Sequence, residues 1–290
     1  MRLSQMQIEE YQREGIVFLP ALFEPLEIAA LKAEQARIFT LDLAAHLRAA
    51  SGEFLGTTAM DRVSPLYARL LRDERLLAIA EQLIGPQLYC HQYKIILKQP
   101  FGKLDLPWHQ DFGPWHHHDG MPAPRAVSLS LYLDEVTEFN GPIVFIPGSH
   151  RAGLLPYEVT PVPGTTPIPS LSNATVTRLA QAGGLLAPKG APGAVTLFDC
   201  CLAHASGPNQ SPYQRHLIYL SYNPVTNAIR KPTRPSHFAA QDFTPRRAAG
   251  SSPTRRLRTS SVEHRNRACP TTRGALNLYR QARHHKTVRR

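Results

Sequence analysis

Cysteine is scarce: the 290 residues hold four, Cys90, Cys200, Cys201 and Cys269. They form no CxxC pair and no even framework, and Cys200 and Cys201 are adjacent, where ordinary disulfide geometry is hard to satisfy. A disulfide-stapled scaffold is excluded, and a reducing cytoplasm is the expected compartment. No apolar run approaches the roughly 18 residues of a spanning helix. The opening "MRLSQMQIEEYQREG" has no apolar stretch of the kind a signal peptide needs. Acidic residues are nearly missing from the C-terminal end. Residues 245–290 hold 13 of the 33 Lys and Arg but one of the 22 Asp and Glu, Glu263. Residues 1–244 are thus left with 20 basic and 21 acidic side chains. The net charge of +11 therefore belongs to the tail, and the body is near neutral. The tail also lacks hydrophobic periodicity and large apolar residues, so a disordered extension is expected over 245–290, with one folded domain over 1–244. Nucleic-acid binding through this tail is the competing reading. Little aromatic interleaving and a neutral body argue against it.

What is present is a change of period. Ser4 followed by Gln7 reads as a capping box opening a short helix that stops at Gly15. A strand "IVFLP" follows, then a helix from Pro25 to about Phe39 and a third over Leu70–Gly85. From Leu88 the pattern turns strand-like. "LYCHQYKIILK", "AVSLSLYLDE", "IVFI", "AVTLFD" and "HLIYLSY" are short strands separated by Pro and Gly corners. Residues 160–190 read as an insertion with a short helix near Val176–Ala182. The expected fold is mainly β with flanking helices, a double-stranded β-helix of jelly-roll, cupin-like type.

The chemistry concentrates in "WHQDFGPWHHHDGMP". His109 and Asp111 are two apart, so on a strand they share a face. A distant third ligand, His204, follows the strand Ala194–Asp199. Two imidazoles and one carboxylate make the facial set that binds non-haem Fe(II) and leaves positions open. Arg215 follows His204, with Ser206 between them. A lone arginine reads as a surface ion pair. After H-x-D…H it reads as the bidentate partner of the distal carboxylate of 2-oxoglutarate, with the serine hydroxyl assisting.

These stretches, with "LDEVTEFNGPIVFIPGSH", "LFDCCLAHASGPNQSPYQR" and "SYN", resemble the phytanoyl-CoA dioxygenase superfamily of Fe(II)/2-oxoglutarate oxygenases over roughly residues 5–245. The likeness is greatest to its bacterial branch of ectoine and free L-proline hydroxylases. The resemblance implies Fe(II), 2-oxoglutarate and O2. His109, Asp111 and His204 are the implied metal ligands, and Arg215, Ser206 and Lys98 the cosubstrate contacts. Gln92, Trp115 and Phe198 are the implied walls of the substrate pocket. Gln92, Lys94, Ile96 and Lys98 share one strand face by parity, and Ile96 stands where ectoine hydroxylases usually carry Asn. The carboxylate at 111 implies hydroxylation rather than halogenation.

His116, His117 and His118, after Gly113-Pro114, are expected in a loop beside the site without metal. Trp108 and Phe112 are expected to pack, and His150 to make a structural hydrogen bond. "LPWHQDF" and "HQYKI" resemble the free-proline enzymes, which carry a Pro-Trp-His-Gln-Asp run, more than the His-Ser-Asp pattern of ectoine enzymes, and this resemblance implies a free amino acid as the small-molecule partner, L-proline first and hydroxylated at C4 (trans). Pipecolate, ectoine or another small amino acid are the alternatives. A non-catalytic jelly-roll module is the competitor of another class. Neither a membrane nor a nucleic acid is an expected partner, and nothing in the sequence sets an oligomeric state.

Overall fold

The computed structural model describes residues 1–49, 51–160 and 168–248. Twelve strands are present. They are β1 (Ile16–Leu19), β2 (His46–Arg48), β3 (Phe54–Thr58), β4 (Leu88–Lys98), β5 (Leu106–His109), β6 (Val127–Tyr132), β7 (Val144–Phe145), β8 (Glu158–Thr160), β9 (Ile168–Ser170), β10 (Val195–Asp199), β11 (His204–Ser206) and β12 (Arg215–Pro224). Six α-helices accompany them: α1 (Gln5–Glu14), α2 (Pro25–Phe39), α3 (Pro65–Leu70), α4 (Glu74–Ile84), α5 (Phe112–His117) and α6 (Asn173–Gly183).

The strands form a seven-stranded sheet ordered β1-β10-β6-β12-β4-β3-β2, a three-stranded sheet ordered β5-β11-β7, and the pair β8-β9. This is the expected jelly roll with helices outside. The two-residue period explains the layering, because each long strand of the large sheet has two different faces. On one face Ile95, Leu97, Leu129, Leu131, Leu197 and Ile218 pack against Ile28 and Leu31 of α2 and Leu76, Leu77 and Ile79 of α4 in one apolar core. The other face carries Gln92, Lys94, Ser128, Tyr219 and Ser221, which line a cavity between the sheets.

The first helix forms as its sequence dictates. The Ser4 hydroxyl accepts from the Gln7 amide at 3.3 Å, the Gln7 side chain accepts from the Ser4 amide at 3.0 Å, and Gly15 ends the helix at φ 75°. A side chain on Gly15 would meet the His150 ring at 2.5 Å, so glycine is required there twice over.

Three expectations need correction. The helix expected over Leu70–Gly85 starts later, at Glu74, because Asp73 caps its start by accepting from the Arg75 amide at 3.0 Å, and Leu70 instead ends α3. β2 and β3, unmarked by clear alternation in the sequence, extend the large sheet beyond β4. The histidine run lies not in a loop but in α5 and its C-terminal cap. The expected disordered extension falls, from residue 249 on, outside the described residues. Just before that point the Arg246 amide donates to the Leu88 carbonyl at 2.6 Å.

Candidate metal centre and active site

β5 and β11 run antiparallel in the small sheet, and their register sets His109 directly opposite His204. The two rings lie 4.2 Å apart, centroid to centroid. β5 ends at His109. Asp111 is not on that strand, as parity alone expected, but at the start of α5 with helical dihedrals (φ −62°, ψ −35°). The turn still brings its carboxylate back, with Oδ1 4.0 Å from His204 Nε2. The ligand atoms of His109, Asp111 and His204 all lie within 4.8 Å of one another.

The surroundings fix which atoms face the centre. His109 Nδ1 is 2.7 Å from the Pro107 carbonyl, and His204 Nδ1 is 2.9 Å from the Leu202 carbonyl. A carbonyl can only accept, so both Nδ1 atoms carry the proton and both Nε2 lone pairs are free for a metal. The Ser128 hydroxyl donates to Asp111 Oδ2 at 2.9 Å and lies 3.0 Å from the Ser221 hydroxyl. Burial, then the neighbouring His204, lowers the pKa of His109 to about 3. Burial likewise lowers that of His204. Burial pushes Asp111 up, but His204, Lys94 and His109 outweigh it and hold the carboxylate below its ordinary range. The set therefore stands ready as two neutral imidazoles and one carboxylate, the protonation states that divalent iron needs.

Arg215 is fully buried, and among the described residues no carboxylate pairs with it and no acceptor meets its three guanidinium nitrogens in good hydrogen-bonding geometry, the Tyr219 hydroxyl being the polar group beside it. The hydroxyls of Ser206 and Ser130 are also buried and unpartnered. Tyr219, two pairs along β12, has its hydroxyl pushed up by burial and pulled down by the charge of Arg215. A buried, uncompensated guanidinium is costly. Such a group fits a carboxylate that arrives from outside, which is what the distal end of 2-oxoglutarate supplies.

The cavity above this floor measures about 480 Å³. Gln92, Trp115 and Ser206 line it, together with Lys94, Ile96, His118, Tyr219, Arg234 and Phe238, while Arg215 lies outside that lining. Two expected residues do other work. The Lys98 ammonium is spent on three carbonyls, those of Leu104 and Ser206 at 2.8 Å each and that of Gly207, so it shapes the Ser206 turn and does not reach the cavity. Phe198 lies behind His204, its ring 5.1 Å away and inclined at 61°, and buttresses the imidazole instead of touching the cavity. In the helix, His116 Nδ1 is tied to the Met121 carbonyl at 2.8 Å and His117 packs on Tyr157. As expected, Phe112 is buried, Trp108 packs against an apolar cluster, and His150 bonds the Gln12 carbonyl at 3.2 Å.

Sequence reasoning missed the segment 228–240, which has no hydrophobic period to mark it. Its backbone follows the end of α5, with Lys231 N–H on the Asp119 carbonyl at 3.2 Å and Thr233 N–H on that of His118 at 3.1 Å. Arg234 forks onto the buried Asp119 carboxylate, and the Phe238 carbonyl accepts from Gln92 Nε2 at 2.9 Å. Asp119 also lies 3.7 Å from His91, which nonetheless stays neutral, its pKa lowered to about 3 by burial and then by Arg234. The guanidinium already neutralises Asp119, so the carboxylate has little attraction left for an imidazolium.

The chain is similar to proteins that hold such a centre. It is 34% identical over 262 residues to an ectoine dioxygenase of Bordetella parapertussis, covering 82% of this chain and 83% of that one. It is 35% identical over 243 residues to an ectoine dioxygenase of Sphingopyxis alaskensis, covering 79% of each. Its fold is similar to that of EctD from S. alaskensis crystallised with 2-oxoglutarate and 5-hydroxyectoine. The TM-score is 0.74 at 33% identity, over 84% of this chain and 87% of that one. Residues 11–217 match the phytanoyl-CoA dioxygenase (PhyH) family. The cluster of two histidines and one aspartate agrees with that match, and the chain belongs to the PhyH family as an Fe(II)- and 2-oxoglutarate-dependent dioxygenase.

Proposed function

We propose that this enzyme hydroxylates ectoine, a small zwitterion, using Fe(II), 2-oxoglutarate and O2. Relatives at 34–35% identity that bear the name ectoine dioxygenase support ectoine over the expected L-proline. L-Proline and pipecolate follow as substrates of similar size. One observation carries the chemistry: Ser206 and the clustered His109, Asp111 and His204 line one cavity, with Arg215 buried at the start of β12.

When bound, iron together with 2-oxoglutarate supplies the activation of O2 for insertion into a C–H bond. His109, Asp111 and His204 hold the metal. Arg215 and Ser206 hold the distal carboxylate, and Lys98 supports them by fixing the Ser206 carbonyl. Gln92 and Trp115 belong to the substrate wall, with Arg234 and Phe238 covering it from the C-terminal segment. Trp115 and the ring of Tyr219 also keep water from the reacting carbon. The free thiols of Cys90, Cys200 and Cys201 support a reducing, cytoplasmic setting. Among the described residues no helix is long and apolar enough to cross a membrane. The catalytic domain is taken to end near residue 244, so a chain ending at Ala248 should keep full activity.

The test is an aerobic assay of the iron-loaded protein with 2-oxoglutarate against ectoine, L-proline, pipecolate and the other free amino acids. Succinate and a product heavier by one oxygen are scored together. Ectoine should give both at the highest kcat/KM. A higher kcat/KM for L-proline would overturn the substrate reading and leave the dioxygenase standing.

A further inference from the structure

A second cluster of metal-ligating side chains lies at the turn between β10 and β11. The carboxylate of Asp199 and the thiols of Cys200 and Cys201 all place a ligand atom within 4.8 Å of one another. Both cysteines are buried and unbridged. A tetrahedral zinc ion, with bonds of roughly 2.3 Å to sulfur and 2.0 Å to oxygen, sets neighbouring ligand atoms about 3.5–3.8 Å apart, so the spread needs only a small contraction. A second observation points to the same spot. The Tyr11 hydroxyl of α1 is buried without a hydrogen-bond partner. Burial, then Asp199, Cys200 and Cys201, raises its pKa well above the ordinary value. Four groups that can each carry a negative charge thus crowd together. Burial also raises Asp199 and Cys200, and only His150 among the cationic groups acts on Asp199.

We propose that Asp199, Cys200 and Cys201 form a structural site for a divalent cation of the zinc type, distinct from the iron centre. Two thiolates and one carboxylate select zinc over ferrous iron, since thiolate is a soft ligand and zinc stands above iron in the affinity series. Binding releases the proton of each thiol to solvent. The Tyr11 hydroxyl donates to the negative ligand set. The placement gives the ion a structural consequence. Asp199 Oδ1 already accepts from the Cys201 amide at 2.7 Å. The Cys200 carbonyl accepts from the Phe112 amide at 2.9 Å and that of Cys201 from the Gln110 side chain at 2.6 Å. The turn therefore grips the residues on both sides of Asp111 and leads within three residues to His204. An ion here ties α1 to the frame that aims the iron ligands.

The test is cobalt substitution in the full chain, produced in cobalt-supplemented medium so that the buried site fills as the chain folds. Wild type should hold two cobalt ions per chain and show a near-ultraviolet thiolate-to-cobalt charge-transfer band. The nitrogen and oxygen donors of the iron centre cannot give that band. It should persist in His109→Ala and vanish in the double variant Cys200→Ser/Cys201→Ser. Absence of the sulfur band in wild type would overturn the proposal, as would its survival in the double variant. Native mass spectrometry of zinc-grown, iron-loaded wild type needs no variant. A second ion with matching loss of protons supports the site, and a single ion refutes it.

Discussion

Arg215→Met separates two quantities that usually move together. The guanidinium is fully buried and, among the described residues, has no carboxylate partner and only the Tyr219 hydroxyl beside it, so the unliganded fold recovers little of its desolvation. Replacing even a buried ion pair by packed apolar side chains is often stabilising by about 1–4 kcal/mol, and a buried guanidinium with no carboxylate partner should gain on that order. In a chain of this size that raises the melting temperature of the unliganded protein on the order of several degrees. Binding should change in the opposite direction. Removing one partner of a buried, hydrogen-bonded charge pair costs about 2–5 kcal/mol. At 1.4 kcal/mol per factor of ten, that weakens 2-oxoglutarate roughly 30- to 4,000-fold. Calorimetric melts of wild type and variant, with and without saturating 2-oxoglutarate, measure both effects. Wild type should gain stability with the diacid, and the variant should start higher and gain almost nothing. A variant that melts lower without ligand, and still responds to 2-oxoglutarate as wild type does, would refute the assignment of Arg215 as a clamp awaiting its anion.

Other outcomes follow from the same geometry. Ser128→Ala frees Asp111 Oδ2 from its donor and should weaken Fe(II) about 10–100-fold, read by titrating the visible band of the iron–2-oxoglutarate chelate. Lys98→Met leaves three carbonyls without their shared donor and should cost about 1–3 kcal/mol of stability, measured by urea unfolding, while raising KM for 2-oxoglutarate less than Arg215→Met does. His91 is buried with its pKa lowered to about 3, below the value near 6.5 of the unfolded chain. As pH falls through about 6.5 the unfolded state gains a proton that the folded state refuses. Stability should then drop by about 1.4 kcal/mol per pH unit from this residue until the folded pKa is reached. His91→Gln should flatten the slope of urea-measured stability between pH 6 and 4, and an unchanged slope would count against it.

The parts of the fold that could be read in advance are those where period and partner agree. β4, β6, β10 and β12 alternate because one face meets the helices and the other the cavity, and the H-x-D…H spacing survives as a real cluster. Asp111 reached the centre by a route that parity did not describe, since the strand ends at His109 and a helix begins. Lys98 and Lys94 share one strand face, so parity could not say which ammonium is consumed by carbonyls and which lines the cavity. Phe198 was indistinguishable from a cavity residue because a ring behind a ligand and a ring in front of it look alike in one dimension. The segment holding Arg234 and Phe238 is fixed by backbone bonds to α5 and to β4, and pairings over more than a hundred residues leave no periodic trace.

The pairing of His109 with His204 has one more consequence. β5, β11 and β7 contribute four, three and two residues, too few ladder bonds to resist sliding by themselves. A slip of one position would turn either imidazole to the opposite side of its strand. An ion held by both rings would act as a proofreader of alignment, rewarding only the correctly matched ribbon, so that metal binding and correct assembly of the cradle would be one event.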